Sequence, residues 1–274
     1  MMKKLVFVWT LDVCNYKQTT YDNFWGLGDI VRGMITTADI CAREGYDFIV
    51  DTTKHPIHKY LVQSEHDVEI DYTDISFIPC SHEDQPEKQE IISFVKNNTS
   101  QSIAFMTNSF PLCRDDISSN IKNRIKHVFT FTDEVHKKIK QIMNDLTLPI
   151  NYNTLHFRLG DGHMVESERN IKLPENILNI INKHDLNNTL ILSDSQLLKD
   201  NIRKHLPHVK MYNTNNIAHV GKADHTANML DTVLEFILAA SSQKITSYST
   251  YEWPSGFVNT CKILYDTRVD NYKI

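Results

Sequence analysis

A chain of 274 residues is enough for about two compact domains at roughly 150 residues each. Apolar residues at 41% and charged residues at 23% exclude a disordered or collagen-like chain and allow a buried core. The formal charge of −5, from 29 Lys and Arg against 34 Asp and Glu, argues against a sequence-independent grip on nucleic acid, so an anionic ligand needs a local site.

Leu5-Val6-Phe7-Val8-Trp9 is a continuous apolar run of strand length, as expected of a strand covered on both faces of a parallel sheet. Thr10 and Asp12 interrupt it too early for a signal sequence or a membrane span, so a cytoplasmic protein without a transmembrane segment is expected. The five cysteines (Cys14, Cys41, Cys80, Cys113, Cys261) are odd in number and lack a CxxC pair, which reads as reduced packing thiols. Gly26-Leu27-Gly28-Asp29 opens a helix carrying Ile30, Met34, Ala38 and Ala42, stopped by Gly45 and followed by a strand at Phe48-Ile49-Val50. A short strand at Ser76-Phe77-Ile78, a helix from Glu87 to Val95, a strand at Ile103-Ala104-Phe105, a helix from Ile117 to Ile125 and a charged helix from Asp133 to Met143 complete the first half.

Leu148-Pro149-Ile150 breaks the pattern and places a domain boundary there, giving domains 1–148 and 149–274. The second half alternates again: strand Thr154 to Phe157, helix Pro174 to Ile181, strand Leu190 to Leu192, helix Leu197 to His205, strand Val209 to Tyr212. Leu230, Val233, Leu234, Ile237, Leu238 and Ser241 form an amphipathic helical stripe, followed by a strand at Lys244-Ile245-Thr246 and a short helix from Tyr251 to Val258. The alternation predicts two facing, doubly wound Rossmann-like α/β domains.

Four segments carry candidate chemistry. His156-Phe157-Arg158-Leu159-Gly160-Asp161 lies where a strand ends, the expected position of a ligand site in an open α/β sheet. Arg158 offers a planar fork of donors suited to phosphate, and a closing ion pair between Arg158 and Asp161 is the structural alternative. Ser193-Asp194-Ser195 ends a later strand, where capping of the next helix is the simpler role. Asp231 and Glu235 share one helix face, either as a solvated flank or facing Ser247-Tyr248-Ser249, whose hydroxyls precede a helix start suited to an anion. Gly26 and Gly28 form a GxG without the third glycine of a dinucleotide fingerprint, Val31 standing there.

In this order and spacing the segments resemble the GDP-fucose-using glycosyltransferases with the His-x-Arg-x-Gly-Asp signature, the bacterial-type α-1,2-fucosyltransferases above all, and with them the α-1,6- and protein O-fucosyltransferases. The likeness covers Gly26 to Gly45, His156 to Asp161, Leu192-Ser193-Asp194, and Asp231 through Ser249 with Trp253. It implies a GT-B-like fold, with the acceptor handled by the first domain and the nucleotide sugar by the second. It also implies that Arg158 holds the β-phosphate and neutralises the departing GDP, that His156 and Asp231 contact guanine, and that Ser249 touches the diphosphate. Gly26, Gly28, Ser193, Asp194 and Ser247 complete the implied donor-binding set. The chain departs from the family at Leu159, where a second arginine is common, and at Asp29, where an asparagine is common.

The function expected is therefore inverting, metal-independent transfer of L-fucose from GDP-fucose to a glycan hydroxyl, with the GDP-sugar as co-substrate and no further cofactor. No DxD pair lies at a strand end, and Asp115-Asp116 stands at a helix start. Asp29 and Asp161 are the candidates for general base. The alternatives are a transferase using GDP-mannose or GDP-rhamnose, and a GT-B-like module that binds glycan or nucleotide without turnover.

Overall fold

The computed structural model describes residues 3–10, 26–62, 76–78, 84–109, 117–160, 176–212 and 229–274. The chain divides into two compact units between Thr132 and Asp133.

The first unit contains β1 (Lys4–Val8), α1 (Leu27–Glu44), β2 (Asp47–Asp51), β3 (Ser76–Ile78), α2 (Asp84–Asn97), β4 (Ser102–Thr107) and α3 (Ser119–Val128). The strands pair in the order β2-β1-β4-β3, all parallel. Both faces of β1 are covered, which is why its sequence is apolar without alternation. Leu5 packs with Ile40, Ile91 and Phe105 on one face, and Val6 and Val8 with Ala104 on the other. The helix α1 lies so close to β4 that a Cβ at Gly33 would stand 1.6 Å from the Thr107 carbonyl oxygen. Only glycine fits there. Arg32 Nε donates to the Asn108 carbonyl at 2.5 Å and Thr36 Oγ1 to that of Ser109 at 2.7 Å, pinning the same helix face to the chain after β4.

The second unit contains α4 (Asp133–Asp145), β5 (Asn153–Arg158), α5 (Ile177–Ile181), β6 (Thr189–Ser193), α6 (Gln196–His205), β7 (Lys210–Met211), α7 (Met229–Ala240), β8 (Lys244–Ser249), α8 (Gly256–Tyr265) and β9 (Arg268–Lys273). Its sheet is parallel throughout in the order β7-β6-β5-β8-β9. Counting from β5, that is third, second, first, fourth, fifth, so the winding reverses between β5 and β8. Open sheets of this kind take ligands outside the carboxyl ends of the strands at that reversal. Leu155, Phe157, Ile181, Ile191, Leu198 and Ile202 build the core under it.

Several sequence expectations shift. The expected boundary at residues 148 and 149 falls after α4, whereas the compact units part before it. Val135, Ile139 and Ile142 on one face of α4 are buried, and the helix packs against α7 of the second unit. The stripe expected on α7 widens to a helix buried nearly all round, since α4 and α8 both pack on it. The last helix starts at Gly256 rather than Tyr251, because Pro254 disfavours helical geometry at the residue before it. The polar strand β9 has no apolar periodicity and was not anticipated; its place comes from the backbone ladder with β8 and an ion pair between Lys244 and Asp270. Among the described residues no helix is long and apolar enough to cross a membrane. Cys41 and Cys261 are free and buried, and burial pushes the Cys41 thiol up to about 12, away from thiolate chemistry.

Candidate functional site

The register of the second sheet brings the expected residues together at its carboxyl edge. His156 lies opposite Ser247 and Arg158 opposite Ser249 on the paired strands β5 and β8, while Phe157 lies opposite Ser193 on β6. His156 is buried, with Nδ1 3.2 Å from Ser247 Oγ and its ring stacked on Phe257 at 5.7 Å. Loss of solvation, with Arg158 and then Lys199 adding to it, pushes the imidazole down to about 3, so it is neutral at pH 7.

Arg158 does not stand alone. Its Nη1 donates to Asp194 Oδ2 at 2.6 Å, with the two side chains 20% and 7% exposed. The Asp194 carboxylate also accepts from the backbone N–H of Leu159 at 2.8 Å and of Gly160 at 3.0 Å. One buried anion thus fixes the turn after β5 and the guanidinium above it. Gly160 has φ +120°, and a Cβ there would meet Tyr251 Oη at 2.9 Å, so the glycine after Arg158 answers both a backbone and a space requirement. The Tyr251 ring centroid is 5.8 Å from the Arg158 guanidinium, within cation–π range, and Tyr251 stacks on Trp253 at 5.2 Å.

The serines at this edge have local tasks. Ser193 Oγ accepts from the Ser195 N–H at 3.1 Å, Ser195 Oγ caps α6 by accepting from the Leu198 N–H at 3.2 Å, and Ser249 Oγ accepts from the Tyr251 N–H at 3.0 Å. The capping role considered for the Ser193-Asp194-Ser195 segment is therefore the one Ser195 performs.

Two carboxylates one turn apart on α7 have separate partners. Tyr212, just after β7, donates from Oη to Asp231 Oδ1 at 2.9 Å. Glu235 is buried and accepts from Lys199 Nζ of α6 at 2.7 Å, with the side chains 0% and 5% exposed. Burial pushes the Glu235 carboxyl up, while Lys199 opposes this. Lys199 and Tyr212 were not expected in the site. A lysine in the run Gln196-Leu197-Leu198-Lys199-Asp200 reads as a solvated position, and only its ion pair with Glu235 of α7 accounts for its burial.

Gly26, Gly28 and Asp29 belong to the first unit, at the start of α1. Asp29 Oδ2 accepts from the Gly26 N–H at 3.0 Å and Oδ1 from Arg32 Nη2 at 2.7 Å. Its carboxylate is a helix cap and an ion-pair partner. Asp161, the alternative partner for Arg158, and the pair Asp115-Asp116 lie outside the described residues. Among the described residues no cluster of three or more His, Cys, Asp or Glu side chains forms a metal-ligand set.

Solved structures of similar backbone are fucosyltransferases. Fucosyltransferase NodZ from Bradyrhizobium has a TM-score of 0.54 at 11% identity, covering 96% of this chain and 93% of that one. NodZ α-1,6-fucosyltransferase co-crystallised with GDP has a TM-score of 0.55 at 12% identity over 96% and 93%. A mutant FUT1 from Arabidopsis thaliana in complex with GDP has a TM-score of 0.57 at 9% identity over 100% and 70%. This chain has their fold. The expected GT-B-like class of parallel α/β units is thereby met. No protein-family model matches the sequence, and no curated protein does.

Proposed function

We propose that the protein is a glycosyltransferase that moves L-fucose from GDP-fucose to a hydroxyl of a glycan acceptor, with inversion and without a metal. The observation that carries this reading is the gathering of His156, Arg158, Ser247 and Ser249 on β5 and β8 at the winding reversal of the second sheet. It is supported by a fold shared with fucosyltransferases whose structures contain GDP.

In this reading Arg158 meets the β-phosphate and stabilises the charge that develops on GDP as the glycosidic bond breaks. Asp194 is a positioning residue: its carboxylate is spent on the turn amides and on Arg158, and it does not face a diphosphate of like charge. Ser249 and the chain leading into α8 meet the same phosphates through hydroxyl and amide donors. Neutral His156 and the Asp231 carboxylate face the base, where guanine offers adjacent N1–H and N2–H₂ donors to a carboxylate. The acceptor falls to the first unit. Asp161 is the general base favoured here, since Asp29 is engaged by Gly26 and Arg32.

The test has two stages. A thermal-shift panel of GDP, UDP, ADP and CMP is expected to show stabilisation by GDP above the others, because a ligand selective for the folded form raises its midpoint. GDP release from GDP-fucose with a panel of acceptor glycans, in the presence of excess chelator, is then expected to depend on acceptor and to survive metal removal. Release from GDP-mannose or GDP-rhamnose in preference to GDP-fucose would reassign the donor. GDP affinity without turnover on any donor would favour a binding module, a second reading to which the Arg158–Asp194 ion pair lends weight, since it neutralises part of the charge that catalysis needs.

A further inference from the structure

We infer that Tyr212 sets the base selectivity of the nucleotide site by fixing the plane of the Asp231 carboxylate, an inference that rests on the reading of Asp231 as the group that meets guanine. Tyr212 leaves the carboxyl end of β7 and reaches across to the first turn of α7, where its Oη donates to Asp231 Oδ1 at 2.9 Å. The phenol is a fixed donor: loss of solvation, then the neighbouring Asp231 charge, push its pKa up, so it does not ionise at any working pH.

A carboxylate on a short side chain turns easily about its last bond, and a single strong donor on one oxygen removes most of that freedom. Guanine needs such order, because its N1–H and N2–H₂ donors lie side by side and fit two oxygens only in one plane. Adenine presents an acceptor at N1, and uracil flanks its N3–H with carbonyl oxygens that repel a carboxylate. The other carboxylate of α7, Glu235, takes the buried cation Lys199 at 2.7 Å. The two acidic residues of α7 therefore have a division of labour. Glu235 satisfies the buried lysine, and Asp231, steadied by the Tyr212 hydroxyl, is left to meet the base. Tyr212 acts through Asp231 and is a positioning residue.

Titration calorimetry with GDP and ADP, which share the diphosphate and differ in the base edge, tests this. Tyr212→Phe is expected to weaken GDP binding about tenfold while ADP binding changes by less than about twofold, so that the selectivity ratio falls by nearly the whole factor. In an Asp231→Ala background the same substitution should change GDP affinity by less than about twofold, since its effect passes through the missing carboxylate. Tyr212→His keeps a donor on an aromatic ring and should retain the GDP preference within about threefold. A tyrosine with only a structural role would lower both affinities alike, and that result overturns the inference. So does a Tyr212→Phe protein with unchanged selectivity beside an Asp231→Ala protein that has lost it, and in that case the assignment of Asp231 stands. An Asp231→Ala protein that still prefers GDP removes the assignment itself and the tyrosine's role with it. If Tyr212→Phe does not fold, loss of the preference in folded Tyr212→His overturns the inference in its place.

Discussion

Substituting Arg158 separates its two possible duties, because the structure gives each a different size. In the folded protein the guanidinium donates to Asp194 at 2.6 Å, and Asp194 keeps the Leu159 and Gly160 amides as donors when Arg158 is gone. Arg158→Ala therefore removes one charge-assisted hydrogen bond from a partly exposed pair, worth about 1.5–3 kcal/mol of stability. Removing one charged donor from a developing phosphate charge costs more in the transition state, about 10²–10³ in rate. Arg158→Lys refines the comparison, since an ammonium can still pair with Asp194 but loses the planar fork that matches phosphate. We expect Arg158→Lys to unfold in urea within about 1 kcal/mol of the parent while transfer falls more than about tenfold. The assays are urea unfolding of each variant and GDP release with donor and acceptor at saturation. A transfer rate within tenfold of the parent for Arg158→Ala, together with the stability loss, would refute the catalytic assignment and leave the arginine as part of the scaffold.

Two further outcomes follow from buried charge. Lys199→Met leaves Glu235 buried without its cation and should cost about 3–5 kcal/mol in urea unfolding, while Lys199→Met with Glu235→Leu should recover most of that loss; equal losses in the single and double variants would contradict the ion-pair argument. His156 is neutral when folded, with its pKa lowered from 6.5 to about 3, so the unfolded chain binds the extra proton first as pH falls. The contribution is complete above pH 6.5 and declines below it, by about 2 kcal/mol between pH 6.5 and 5; the acid slope of stability should flatten in His156→Gln, and an unchanged slope would remove the assignment.

Much of the fold was legible because parallel sheets write themselves into sequence as short apolar runs. Leu5 to Trp9 and Leu190 to Leu192 are buried on both faces, and each run predicted its strand to within a residue or two. The positions of His156, Arg158, Ser247 and Ser249 at strand ends were legible for the same reason, since an apolar run that stops at polar residues marks the rim of a sheet. What escaped depends on contacts between elements distant in sequence. Nothing in the run Gln196 to Asp200 announces a lysine without solvent contact, and nothing at Tyr212 announces a bond to α7. Likewise, α4 reads as a charged helix that closes the first half, and only its buried stripe against α7 assigns it to the second unit.

The partner of Arg158 shows where local reading stops and why. Sequence alone offered Asp161, three residues away, as the group that would close the turn, because proximity along the chain is the only proximity a sequence displays. Asp161 lies outside the described residues, but the sheet supplies a neighbour that no sequence displays: β5 and β6 are paired, Phe157 lies opposite Ser193, and the residues that follow, Arg158 and Asp194, meet at the same rim. The charges around this rim then carry a consequence. Arg158 is met by Asp194 and Lys199 by Glu235, while Asp231 accepts from the Tyr212 hydroxyl, so each of these two cations already has a carboxylate partner before any ligand arrives. Among the described residues these pairs leave little surplus positive charge for the diphosphate of the proposed reading. In the proposed reading the donors that would meet it are the fork of Arg158 held in place by Asp194, the Ser249 hydroxyl and the amides leading into α8. With Leu159 where the family it resembles often carries a second arginine, the proposed reading asks orientation to do the work of an additional positive charge, and the carboxylate that offsets the charge of Arg158 is the same group that holds its orientation.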